Sequence, residues 1–427
     1  MTDCPKPYQL RSLSSRGGYR AGLTLLLACA FHLGAGLIRA AEAKPISLGK
    51  LPLLFVDDSG LTLRRGVVPT VHQARTYAKP VVQADRPWEG DRTYIYGSAY
   101  RDEKSGLFQL WYGARPGVEH GGRSESVGGA PALRNQGFDL TLYATSRDGK
   151  NWNKPSLGNI EYNGSTKNNI VSDFHSASIL RDEGEVDPGK RFKMLGYLVR
   201  PAHAYHAAYS ADGLVWHDYP KSAVLEHGDT ITLTQHPVTR EYLAYHKRPA
   251  HVRGQGRRVV WLSRSHDFQQ WSQPELVLVP DEADDAWVSR PQERTEIYNM
   301  SVYPHASGFV GLPAMFRVMR QTPRDETAPS QSPVDGPIDI QLATSADGRV
   351  WKRHLPGVNI IPRGAPGSFD AGTILGVSST AVHTEKETWV FYTAINTGHG
   401  GPLPPKRITI GRADWRLHGF VSLDAGP

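Results

Sequence analysis

The chain has 427 residues, with 49 Lys and Arg against 42 Asp and Glu and a formal net charge of +7. That mild excess is not gathered into a basic run, which argues against a nucleic-acid partner. Two cysteines are too few for a disulfide-built scaffold. No H-E-x-x-H or clustered Cys/His pattern speaks for a catalytic transition metal.

Residues 1–43 read as an export signal. Arg11, Arg16 and Arg20 precede an apolar stretch from Ala21 to Ile38, and Ala41-Glu42-Ala43 offers a small-x-small cleavage site. The apolar run is short for a membrane span and is weakened by Gly34 and Gly36. A lipoprotein box, Leu26-Leu27-Ala28-Cys29, is the lesser reading because apolar residues continue past Cys29. Both cysteines, Cys4 and Cys29, fall in this leader. Its removal takes five basic and two acidic residues, leaving 384 residues at +4. Residues 44–427 are then one periplasmic or secreted domain of ample size for a core.

Across the whole chain, 43 Gly and 31 Pro with no long amphipathic helical pattern point to an all-β fold. One short motif, S-x-D-G-x-x-W, recurs as Ser146–Trp152, Ser210–Trp216 and Ser345–Trp351, with Ser265–Trp271 a variant carrying Phe268 for Gly. Spacings of 64, 55 and 80 residues mean one supersecondary unit used several times. Each copy follows a β-rich run, and Asp-Gly supplies the turn. Reading backwards gives strands A, B and C of each unit: 94–100, 107–113 and 140–145; 175–180, 191–199 and 206–210; 230–234, 241–246 and 258–263; 297–303, 308–316 and 338–344; 373–382, 388–395 and 407–412. A fourth, outer strand should follow each C, such as 419–423 at the end. Five such sheets predict a five-bladed β-propeller.

Strand polarity then sorts the connections. The short A–B turns belong on one face. The long B–C loops, 115–137, 249–256, 319–337 and 396–405, share the other face with the starts of the A strands, and binding commonly sits on such loops. Each A strand opens on or just after a carboxylate: Glu89, Asp173, Asp229, Glu296 and Asp370. Converging on the propeller axis, these acids would supply what glycosidic cleavage needs: a proton donor, a nucleophile or base, and a group that steadies an oxocarbenium-like transition state. No cofactor is required; a structural cation on the axis would relieve the repulsion among five carboxylates. Taken singly, each acid is more readily a turn former.

The chain resembles the five-bladed propeller glycoside hydrolases of families 32 and 43. It looks closest to bacterial secreted proteins similar to the family 32 N-terminal domain. Trp88-Glu89-Gly90-Asp91 followed by Gly106–Tyr112 resembles the first-blade signature, His175–Ser178 the second-blade segment lining the sugar site, and Phe369–Gly372 the segment opening the last blade. The resemblance implies Glu89 as nucleophile or base, Asp229 as transition-state stabiliser and Glu296 as general acid. These families use Asp where Glu89 stands, so Asp91 and the pair Asp57-Asp58 are rivals for its role. Asp229 lacks the flanking Arg and Pro.

Around these acids, Trp88, Asn169, Asp173, His175, Arg290, Tyr298 and Asp370 are candidate substrate-binding residues. Trp111 is better read as core. The sequence thus predicts an exported glycoside hydrolase acting on an oligo- or polysaccharide. A noncatalytic glycan-binding propeller and a glycan phosphorylase or transferase are the alternatives; for the latter, Lys247-Arg248 is the candidate phosphate site.

Overall fold

The computed structural model describes Leu54, Val56 and residues 65–116, 139–198, 203–226, 228–323, 332–353 and 355–426. The expected leader, including Cys29, and Asp57-Asp58 lie outside these residues. Among the described residues, no helix is long and apolar enough to cross a membrane.

The fold is a five-bladed β-propeller of antiparallel sheets. In blade I, strand A is split into Thr93–Tyr94 and Ala99–Arg101, both paired with Phe108–Ala114, which pairs in turn with Leu140–Ser146. Blade II runs His175–Arg181, Phe192–Leu198, Ala204–Ser210 and His217–Glu226. Blade III runs Ile231–Gln235, Tyr242–Val252, Gln255–Ser265 and Glu275–Leu278. Blade IV pairs Arg294–His305 with Gly308–Val318, followed by Ile338–Ile340 and Ala343–Ser345. Blade V pairs Thr373–Val377 and Val382–His383 with Glu387–Ile395, then Ile408–Arg416.

The expected loop 249–256 is instead an extended hairpin. The central strands of blade III continue to Val252 and Gln255 and turn through Arg253-Gly254, whose φ angles of +49° and +75° suit a tight two-residue turn. The outer edge of blade V also differs. Residues 419–423 do not add to strand C. Arg75 and Val82 bridge to Asp414 and Ile410 instead, and Val67–Val71 pairs with Val421–Ala425. Early and late segments of the described chain thus close the ring together.

Residues of the B strands alternate between two neighbouring blades, as the period of two requires. Leu110 packs with Phe391 and Ile410 of blade V, whereas Trp111 packs with Ile179 and Met194 of blade II. Leu243 faces blade IV while Tyr242 and Ala244 face blade II. Both faces are buried, so these strands read as near-continuous apolar runs. Nearer the axis, small hydroxyl side chains stitch the A strands together. Ser98 Oγ donates to Ile179 O at 2.6 Å, Ser178 Oγ accepts from Leu233 N at 2.9 Å, and Thr232 Oγ1 donates to Met300 O at 2.6 Å. Ser301 Oγ donates to Val377 O at 2.9 Å, and Ser98 and Ser379 hydroxyls meet at 2.7 Å. All five interfaces are spanned.

The repeated motif is a latch between blades. Ser146 Oγ accepts from Gly149 N, and Asp148 Oδ1 accepts from Lys150 and Asn151 N. The same serine bond recurs at Ser210, Ser265 and Ser345. Three of these turns dock on the preceding blade. Arg412 donates to Asp148 O, Trp111 Nε1 to Gly213 O at 2.7 Å, and Tyr245 OH to Gly348 O at 2.8 Å. Gly213 has φ +78°, and a Cβ there would lie 2.7 Å from Trp111, so the close approach needs glycine.

Candidate active site

The five acids at the strand starts do not form one ring. Glu89 ends a short turn, Pro87–Glu89, well before strand A begins at Thr93. Its Oε2 accepts from Asp85 N and Arg86 N at 2.8 and 3.0 Å, and its Oε1 accepts from Tyr112 OH at 2.7 Å. Lys154 Nζ lies 2.6 Å away, and the whole side chain is buried. Trp88 Nε1 donates to Asn169 Oδ1, and Asn169 Nδ2 to Tyr112 OH. Trp88, Glu89 and Asn169 therefore do meet, but in a network inside blade I. Glu89 thus folds back on its own turn, as the acid of a capping box does, although Arg86 is not a capping residue type that would announce it. Glu293 repeats it by accepting from Ser289 and Arg290 N.

Glu89→Gln should lower stability by about 2 kcal/mol, because Lys154 loses its buried partner but keeps Asp85 at 2.7 Å. Activity per folded molecule should stay near wild type. Thermal melts and kinetics on the same preparation check this; a folded but inactive Glu89→Gln would return Glu89 to the reacting set.

Three further candidates are also placed elsewhere. Asp173 lines a separate void of about 10 Å³ with Trp216 and Asp218. Asp370 is buried, accepting from Tyr392 OH and Ser368 Oγ, both at 2.8 Å. Arg290 is exposed and is not among the residues lining the central pocket. Asp91 is held by Arg92 through two bonds of 2.7 and 2.9 Å. The ring of carboxylates that an axial cation would need is not formed. Among the described residues, no group of three or more His, Cys, Asp or Glu is placed to hold a metal.

Asp229, Glu296, His175 and Tyr298 do come together, lining one pocket of about 710 Å³ on the face shared by the A-strand starts and the B–C connections. Asp229, just ahead of strand A of blade III, has a half-exposed side chain 2.6 Å from Lys247 Nζ. Burial pushes its pKa up, but Lys247, His175 and Arg258 outweigh that and hold it at about 2. Glu296, from strand A of blade IV, is buried. Its Oε2 accepts from Arg258 Nη1 at 2.5 Å and its Oε1 from Arg294 Nε at 2.7 Å. Arg258 acts electrostatically on both Glu296 and Asp229, and together these partners raise its pKa despite burial. Tyr298 presents its ring to Lys247 Nζ, 3.9 Å from the centroid, and packs edge-on against His399 at 5.0 Å.

On the blade I side, His175 Nδ1 lies 3.0 Å from Tyr94 OH and 3.1 Å from Asp139 Oδ2. Asp139, for which the sequence carries no distinguishing signal, also takes two bonds from Arg115. Burial works against its charge, but His175 and Arg115 hold its carboxyl well below the usual range. The larger omission is the cations other than Lys247 and Arg248. Arg92, Arg115, Lys247, Arg248, Arg257, Arg258, Arg294 and Lys406 all line the pocket, against Asp229 and Glu296. Most sit in segments whose pattern is that of loops or loop ends. Arg257 and Arg258 become legible only once residues 249–256 prove to be a hairpin, with Arg258 opposite Pro249.

No family model matches the chain, and no curated protein sequence matches it. Solved structures do. The BT0996 complex with RGII matches at 12% identity over 80% of this chain and 92% of its own, with a TM-score of 0.50. The β-1,2-mannobiose phosphorylase from Listeria innocua matches at 12% identity over 81% and 97%, with a TM-score of 0.49. A glycoside hydrolase matches at 11% identity over 80% and 92%, with a TM-score of 0.48. At such identities the likeness is one of fold, and it does not single out families 32 or 43. The chain thus shares the five-bladed β-propeller fold with the BT0996 structure.

Proposed function

We propose that the protein is an exported enzyme that cleaves glycosidic bonds in the axial pocket, with Asp229 and Glu296 as its working carboxylates. The observation that carries this reading is that two carboxylates from adjacent blades open into one pocket of about 710 Å³, beside an aromatic ring, a setting suited to a sugar. Asp229, ionised and half-exposed, is the group to steady positive charge on the sugar ring or to attack it. Glu296 is the proton donor of the pair, provided that substrate draws one of its two guanidinium contacts away. The fold shared with the BT0996 complex with RGII fits a glycan-acting role. The cation-rich lining supports phosphorolysis as a second reading, with phosphate replacing water as the attacking species.

The test is incubation of the purified protein with plant, algal and microbial polysaccharides, with and without inorganic phosphate. New reducing ends without phosphate are the expected result. Sugar phosphate formed only when phosphate is present would select the second reading. Glycan binding with no product on any substrate would leave a noncatalytic propeller and sink both.

A further inference from the structure

We propose that Arg92, Arg115 and Lys406 form an oxyanion subsite in the pocket wall, made for a carboxylate or sulfate borne by the glycan; the same chemistry would also accept free phosphate. The ligand's identity as a glycan rests on the glycoside-cleaving reading; the subsite itself does not.

Backbone geometry puts the three cations together. Thr93 pairs with Ala114, so Arg92 and Arg115 extend from neighbouring strand ends. Arg92 also bridges to Ile408 of blade V, two residues beyond Lys406. All three residues line the pocket. Their counter-charges fall short. Asp91 takes both bonds from Arg92, and Asp139, shared with His175, takes those from Arg115. Lys406 is only 8% exposed, and among the described residues its ammonium has no ion-pair partner; it donates to His399 O at 2.5 Å. Burial and the charge of Arg92 push its pKa down to about 8, while Asp335 and Asp91 pull it up only partly. Burying an ammonium without a partner is costly. A neutral sugar gives no reason to bear that cost, whereas an arriving oxyanion supplies the missing charge and takes bonds from two guanidinium groups.

Calorimetry on the full chain tests this with a galacturonate trisaccharide, its methyl ester, and inorganic phosphate and sulfate. The acid should bind at least ~10-fold more tightly than the ester at low salt, and added salt should narrow the gap. Lys406→Met should close the gap while melting no lower than wild type, because it removes an unpaired buried charge; Lys406→Arg should keep most of it. Equal binding of acid and ester, or a gap that Lys406→Met leaves untouched, overturns the subsite. Phosphate that competes with the acid and is consumed during cleavage assigns the subsite to free phosphate; competition without consumption assigns it to the glycan's own group. Acid–ester discrimination without any cleavage would remove only the glycoside-cleaving reading, and cleavage without discrimination only the subsite.

Discussion

Asp229→Asn should lower kcat/KM on every glycoside by about 10²–10³, the usual scale for losing one preorganised electrostatic contact to a transition state. The variant keeps side-chain size but removes the charge that faces Lys247 at 2.6 Å. The loss should not depend on the leaving group, because the carboxylate acts on the sugar ring and not on the departing oxygen. Folding should survive, since the side chain is half-exposed and its amide oxygen still accepts from Lys247. The carboxylate stays charged above about pH 2. An acid limb seen nearer neutrality therefore belongs to another group and should persist in the residual activity of Asp229→Asn. Steady-state kinetics across pH check both points; wild-type kcat/KM in a folded variant would remove Asp229 from the chemistry.

Glu296→Gln should show the opposite selectivity. A proton donor matters most for a poor leaving group, so a natural glycoside should lose at least ~10²-fold, while an activated aryl glycoside should lose much less. The geometry supplies a competing outcome. Both oxygens of Glu296 accept from arginines, and a glutamine offers one acceptor and one donor. If Glu296 serves only to hold Arg258 and Arg294, the variant should damage both substrates equally and weaken binding as well. Paired kinetics on the two substrates separate these roles, and equal losses would argue against proton delivery.

The architecture is legible because its signals are periodic and local. Four turn motifs, each ending a β-rich run, mark four blades in order, a fifth set of strands completes the count, and the serine hydrogen bonds that shape the turns are strictly short-range. Which face carries the site follows from strand polarity alone. The site itself is only partly legible. Asp229 and Glu296 stand out because each lies beside or within the strand that carries it to the axis. Glu89 misleads because an acid ahead of a strand looks the same in sequence whether it opens toward the axis or caps its own turn. Arg92, Arg115 and Lys406 meet through a bridge between blades I and V, across more than 300 residues of chain, and local pattern carries no signal for such a meeting. The hairpin at Arg253-Gly254 is obscured by Pro249, which an extended strand tolerates away from the sheet interior.

The most direct measurement is a crystal structure of Asp229→Asn soaked with a cleaved oligosaccharide. A sugar ring is expected in the axial pocket, with its anomeric carbon facing residue 229, its glycosidic oxygen toward Glu296, and an acidic substituent, if present, on the Arg92 and Lys406 wall. A sugar bound only elsewhere, for instance in the surface groove beside Tyr209, Asp212 and His217, with the axial pocket empty, would contradict the account.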